Sequence, residues 1–459
     1  MTHYKSKSFL LIGTVLLFVC TAVSTVSARI EDMHRVDLRN LGLPMVNDIP
    51  ANSSAITSLI TGSDGNIYGA TSGEQAYMLV YEPSLNKVKH LGKIKDQTGA
   101  HHSLVEGADK CLYVGSGKNM FETVKMSKWG PPDNGKEDLI PWDDIYSYLP
   151  SYEDHVLYEM KQSKGDMGYQ YVDIILWNDI KNHFKDYAGG HLYRYSPAAS
   201  NEKIKLADMD CELEDLGIPV AKNSIYALTA SPDGNTIYGL TYPDGHFFIY
   251  DIRSKGFKDL GEIIKEIIFH GPERQWRSLP RALVCDDSGR VYTTGSNGAI
   301  VYYDPNTGKI VPTKVRIPGD YYYAQAWQDY AVVDCFVRGS NGLIYGGSSD
   351  GYLFSFNPEK SELVNLGKVR ACRRIRCMTV GKNGKIYMMA GERIPSMPCQ
   401  FYSYDPAKGG FEDIGLLKVD RSPYYYRFGF QFDGMTCGRD GTVFLGESER
   451  GSSLFLYIP

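Results

Sequence analysis

Seven residues of this chain stand eight positions before a recurring turn residue: Thr57, His102, Tyr226, Arg281, Asp334, Arg376 and Asp433. The turn residues are Gly65, Lys110, Gly234, Gly289, Gly342, Gly384 and Gly441. All seven positions are polar, and three consecutive ones are a His, a Tyr and an Arg, a set that exceeds what hydrating a channel requires. A neutral imidazole near its solution pKa accepts a proton at neutral pH, and Arg forks a planar anion. A Tyr beside Arg is expected to have its pKa lowered toward that range. The expectation is that His102 or Tyr226 abstracts a proton and the other, or His246, delivers one. Arg281 would hold the anion.

Loops that emerge at the same end add Tyr242, His246, His101, Trp276 and Arg277. Rings stack on pyranose faces while guanidinium groups bind carboxylate or sulfate, so the set suits an acidic sugar. Catalytic candidates are His102, Tyr226, His246 and Tyr242. Substrate-binding candidates are Arg281, Arg376, Arg277, Trp276, His101, Asp334 and Asp433. A rival chemistry is open: two carboxyl groups facing each other hydrolyse a glycosidic bond, and Asp334 and Asp433, with Glu392 or Glu447, are the residues for it. His101, His102, His246 and Asp433 are ligand types, but their spacing matches no metal motif, and Cys372 and Cys377 in CRRIRC lack the CxxC spacing. No cofactor and no structural metal are expected; a bound divalent cation is compatible with these side chains.

What must position these residues is a repeat. The turn and the strand after it recur as SDGNIYG at 63 to 69, ADKCLYVG at 108 to 115, SPDGNTIYG at 231 to 239 and DSGRVYTTG at 287 to 295. They recur again as SNGLIYGG at 340 to 347, KNGKIYM at 382 to 388 and RDGTVFLG at 439 to 446. A third strand answers each, from YMLVYEP to SLFLYIP. Such a meander cannot bury itself alone and needs copies on either side. The pattern predicts an all-β, seven-bladed β-propeller of four-stranded antiparallel blades. The segment at 35 to 44 is expected to supply the last blade's outer strand and so close the ring. Seven positions before each turn lie small residues, Ser58, Ser103, Ala227, Ala282, Cys335, Cys377 and Gly434, as a crowded axis requires. Blade two carries a long insert, placed at 117 to 190, with helix-like stretches such as VDIILWNDIKNHF.

The blade plan, the export signal described below and the His102, Tyr226 and Arg281 set on neighbouring blades resemble the β-propeller polysaccharide lyases of the ulvan lyase and rhamnose-glucuronate lyase type. The resemblance covers the blades but not the insert. It implies β-elimination on a uronate: Arg281 neutralises the carboxylate and acidifies the C5 proton, while His102 and Tyr226 act as base and acid with Tyr242 and His246 close by. An acidic polysaccharide or oligosaccharide is the implied partner. Hydrolysis by the ring carboxylates and a non-catalytic glycan- or protein-binding propeller are the alternatives.

Bulk properties bound the setting. Residues 1 to 28 place Lys5 and Lys7 before an apolar run and a Val26-Ser27-Ala28 cleavage pattern, the layout of a signal peptide. Residues 29 to 459 then form the propeller, secreted or periplasmic, with no membrane attachment after cleavage. Loss of Lys5 and Lys7 takes the 49 basic residues to 47, against 54 acidic, a poor balance for binding nucleic acid. The cysteines beyond Cys20 are read as small core thiols in preference to disulfides.

Overall fold

Each repeat turn is built the same way. Its residue takes a left-handed conformation that costs glycine little, with φ from +67° at Gly234 to +97° at Gly441, and Lys110 takes it in blade two at +62°. In four blades an Asp or Asn next to the turn residue meets the Tyr of the following strand, as where Tyr68 Oη donates to Asp64 at 2.7 Å and Asn383 donates to Tyr387 Oη at 2.8 Å. In blade four Tyr292 Oη donates to Asp286. The Tyr recurs because it stacks in the core at one end and ties down the turn at the other.

The computed structural model describes residues 38–42, 49–118, 184–199, 209–264, 268–269, 275–276, 279–320, 331–369, 374–391, 399–421, 425–429, 431–448 and 453–459. The signal peptide expected at 1 to 28, Arg277 and residues 119 to 183 of the insert lie outside them. Seven four-stranded antiparallel sheets form a ring of blades, and helix is nearly absent among these residues. Blade one is Ala55–Thr61, Ile67–Ser72, Tyr77–Glu82 and Lys87–Lys93. Blade seven is Phe432–Cys437, Val443–Glu447 and Leu454–Tyr457, with Leu38–Gly42 as its outer strand, Leu38 opposite Tyr457.

Apolar side chains pack between neighbouring blades. Tyr68 meets Tyr195, Tyr113 meets Tyr250, and Tyr238 meets Tyr303. Tyr292 then meets Phe356, Tyr345 meets Tyr404, and Tyr387 meets Tyr457. Phe444 and Leu456 of blade seven pack on Ile56 and Leu79 of blade one, which closes the circle. Each fully buried aromatic contributes about 1.5–3 kcal/mol by area, so a blade's stability resides in its neighbours. The second strands approach the third closely: a Cβ on Gly239 would lie 2.2 Å from Phe248, and one on Gly346 2.2 Å from Phe354.

The small residues one step inside the polar ring stitch blade to blade. Ser58 Oγ donates to the Ala100 carbonyl at 2.8 Å, Cys335 Sγ to that of Ile375 at 3.1 Å and Cys377 Sγ to that of Phe432 at 3.5 Å. The seven described cysteines are free thiols, and all but Cys437 are buried.

Candidate functional site

The polar ring arises from a repeated irregularity. In blade one the ladder pairs Ile56 with Thr71 and then Ser58 with Ala70, so Thr57 has no partner. The same skip passes over Tyr226 between Ile225 and Ala227, and over Asp334 between Val333 and Cys335. It passes over Arg376 between Ile375 and Cys377, and over Asp433 between Phe432 and Gly434. Five of the seven ring positions are therefore β-bulges, which take one side chain out of the pleat and re-aim it. His102 and Arg281 stand just before the short inner strands Leu104–Glu106 and Val284–Cys285. Backbone bonds join the blades here: His102 N–H donates to the Thr57 carbonyl at 3.1 Å, Leu228 N–H to that of His102 at 3.2 Å, and Arg281 N–H to that of Val333 at 2.9 Å.

Five of the ring side chains meet one another in pairs. Arg281 lies 5.9 Å over the Tyr226 ring and 3.9 Å from the Asp334 carboxylate. Asp334, almost wholly buried, is held more tightly by Arg374, whose Nη1 donates to both oxygens at 3.1 and 3.0 Å. Arg376 donates to Asp433 Oδ1 through Nε at 2.9 Å and contacts it through Nη2 at 2.8 Å, and Gln431 and Ser448 donate to Oδ2. Thr57 donates to the Ala100 carbonyl at 2.7 Å and lies 2.7 Å from Ser72 Oγ. Among the described residues this network holds three guanidinium groups and two carboxylates.

Burial sets the protonation states. Desolvation lowers His102 to about 4, with Arg281 and Arg376 adding to the effect and Asp433 and Asp334 opposing it. His101 is lowered to about 3, again by desolvation first and then by His102. Both imidazoles are neutral at neutral pH. Tyr226 departs from the sequence expectation: burial outweighs Arg281 and Arg374 and raises its pKa, so it stays a phenol. Tyr242, 5.5 Å from Tyr226 ring to ring, is raised by burial as well. For Asp433, burial acts upward, but Arg376, His102 and the hydrogen bonds from Ser448 and Gln431 prevail and hold it ionised.

His246 stands apart. It opens the third strand of blade three, and its Nδ1 lies 2.8 Å from Asp259 of the outer strand. His191 makes the same contact with Asp215 in blade two at 2.9 Å, and Gln400 donates to Asp413 in blade six. The position is a strand-to-strand staple, and its place in the repeat was the signal for that. Trp276 lies in the two-stranded hairpin Ile268–Phe269 with Gln275–Trp276, on the connection from blade three to blade four. Arg374, expected from the sequence among the loop arginines at this end in the run Arg373-Arg374-Ile375-Arg376, joins the site through Asp334.

No family model matches the chain, and no curated protein matches it in sequence. Among solved structures it is similar to virginiamycin B lyase from Staphylococcus aureus, with a TM-score of 0.54, 9% identity, and 93% of this chain and 100% of that one covered. A streptogramin B lyase structure matches with a TM-score of 0.50 and 13% identity over 92% of this chain and 97% of that one. The extracellular domain of a hybrid two-component system from B. thetaiotaomicron matches with a TM-score of 0.50 and 11% identity, over 92% of this chain and 40% of that one. At these identities the likeness shows the propeller fold alone. No helix among the described residues is long and apolar enough to cross a membrane.

Proposed function

We propose that the ring end of the channel is the active site of an exported lyase that cleaves a uronate-containing glycan by β-elimination. The observation that carries this reading is the pairing of a neutral imidazole, His102, and a neutral phenol, Tyr226, around a guanidinium, Arg281, that its nearest carboxylate engages only at 3.9 Å. The other two arginines of the network are committed to Asp334 and Asp433 at hydrogen-bonding distance. The lyase names of two propellers of like fold belong to those proteins; the reading rests on the residues of this one.

Arg281 binds the uronate carboxylate and draws charge from C5, which acidifies the proton there. His102 takes that proton, the electron pair forms the C4–C5 double bond, and the C4–O bond breaks. Tyr226 protonates the departing oxygen; His102 then releases its proton to solvent and Tyr226 takes one back, which restores both groups. A neutral histidine can accept and a protonated tyrosine can donate, so each group begins in the state its step needs. Tyr242 backs the Tyr226 ring, and His101 lies beside His102. An acidic oligosaccharide or polysaccharide is the partner this assigns.

Hydrolysis by Asp334 and Asp433 is less well supported. One of the pair would have to be a protonated acid, and Asp433 is held ionised by Arg376 with its second oxygen already accepting two hydrogen bonds.

The test is incubation of the purified protein with a panel of uronate-containing polymers, following the ultraviolet absorbance of an unsaturated uronate with reducing sugar in parallel. Growth of both, lost in H102A and Y226F, is the expected result. New reducing ends without absorbance would mean hydrolysis, and full activity in both variants would remove the assignment.

A further inference from the structure

The three guanidinium groups of the ring are unequal, and the inequality has one source. Asp334 is 1% exposed, and a carboxylate so buried requires a cation. Two arginines approach it from opposite blades. Arg281 comes from blade four and stops at 3.9 Å, whereas Arg374 comes from the edge of blade six and places one nitrogen 3.0 and 3.1 Å from its two oxygens. Arg374 reaches that place in a left-handed backbone conformation, φ +63°, rare for a side-chain-bearing residue. The conformation is fixed by its N–H donating to Ser349 in blade five at 3.1 Å and its carbonyl accepting from Gly391 at 3.0 Å.

We propose that Arg374 is a positioning residue: by occupying Asp334 it prevents Arg281 from closing on that carboxylate and keeps Arg281 directed at a substrate carboxylate over Tyr226. The proposal rests on the reading of this site as one that binds a uronate. Without Arg374, the buried Asp334 carboxylate loses both hydrogen bonds from that guanidinium, and Arg281 is the nearest cation left to satisfy it. The substrate then competes with Asp334 for one guanidinium. Arg374 is thus needed for anion binding only while Asp334 is present, whereas a merely structural pair would move stability and leave the affinity for the anion unchanged.

Binding of D-glucuronate, with methyl glucoside as the neutral control, is followed by NMR titration in the wild type, R374M, D334N and the R374M/D334N double variant, and KM and kcat are measured on whichever uronate polymer is cleaved. R374M is expected to weaken glucuronate binding at least tenfold and to raise KM by a similar factor with kcat changed less than about threefold. The double variant is expected to return to within about threefold of wild type. Equal binding by wild type and R374M overturns the proposal, as does a double variant no better than R374M, which would make Arg374 a direct ligand of the anion. If R374M does not fold by circular dichroism, R374Q, which removes the charge but keeps a polar head, reads the same quantities. Failure of the wild type to prefer glucuronate over the glucoside would instead remove the uronate reading itself, and the role of Arg374 with it.

Discussion

Arg376 and Asp433, bulge residues of adjacent inner strands, form an ion pair closed to solvent, each about one-twentieth exposed. Removing one partner leaves the other charged and buried. D433N and R376M should each lose about 3–5 kcal/mol of unfolding free energy in urea. A double change to apolar residues of similar volume should lose less than the two singles combined. Additive losses would show that the two side chains are not coupled.

The pH dependence of catalysis separates the two roles in the mechanism. With His102 as base at about 4, kcat/KM on a uronate polymer should stay level from pH 8 down to about 5 and halve near 4. An ordinary histidine would halve it near 6.5. Because burial raises Tyr226 above its usual range, no basic limb from its ionisation is expected below about pH 10. A rate that climbs with pH through neutrality would make Tyr226 the base.

Acid should also weaken the fold, and the sign follows from the same two histidines. Their folded pKa values, about 4 and about 3, lie below the unfolded value of 6.5. Above 6.5 neither state binds the proton and their contribution is complete; below it the unfolded chain takes protons that the native state refuses. Stability should therefore fall as pH drops from 6.5 toward 4, by about 1.4 kcal/mol per unit for each histidine. Asp433, held low, adds a further loss below its unfolded value of 3.8. Urea midpoints at pH 7, 6, 5 and 4.5 measure this. H102N should flatten the slope by roughly half, and an unchanged slope would place the titration elsewhere.

His246 and His102 give a paired comparison. Since His246 is bound to Asp259 at the far side of its sheet, H246A should lower turnover less than tenfold, while H102A should lower it by about 10²–10⁴. Equal losses would bring His246 back to the reacting bond.

The architecture was legible because its signals are local. A glycine with positive φ, a Tyr four residues after an Asp or Asn and an alternating third strand lie within twenty residues of one another and recur. The ring positions could be found by counting, because every blade keeps the same distance from ring residue to turn. Strict alternation gave no reason for their orientation; the skipped ladder partner at Thr57, Tyr226, Asp334, Arg376 and Asp433 supplies it. The engagements were hidden, since Arg374 and Asp334 are 40 residues apart and Arg376 and Asp433 are 57 apart. That distance made two occupied carboxylates resemble a hydrolytic pair. Tyr226 was misjudged for a related reason: the adjacent Arg is visible in the repeat, but the depth of burial is not.

Because an unpaired residue in the inner strand takes no part in the ladder, exchanging it disturbs neither cross-strand bonding nor the assignment of its neighbours to either face. Thr57 already occupies such a place by turning toward the next blade's backbone, while Arg376 in the equivalent place carries a full charge. Chemistry and scaffold are thus written in separate letters of the same strand. New specificities could be installed one blade at a time, with each replacement judged by the partner it meets on the blade beside it.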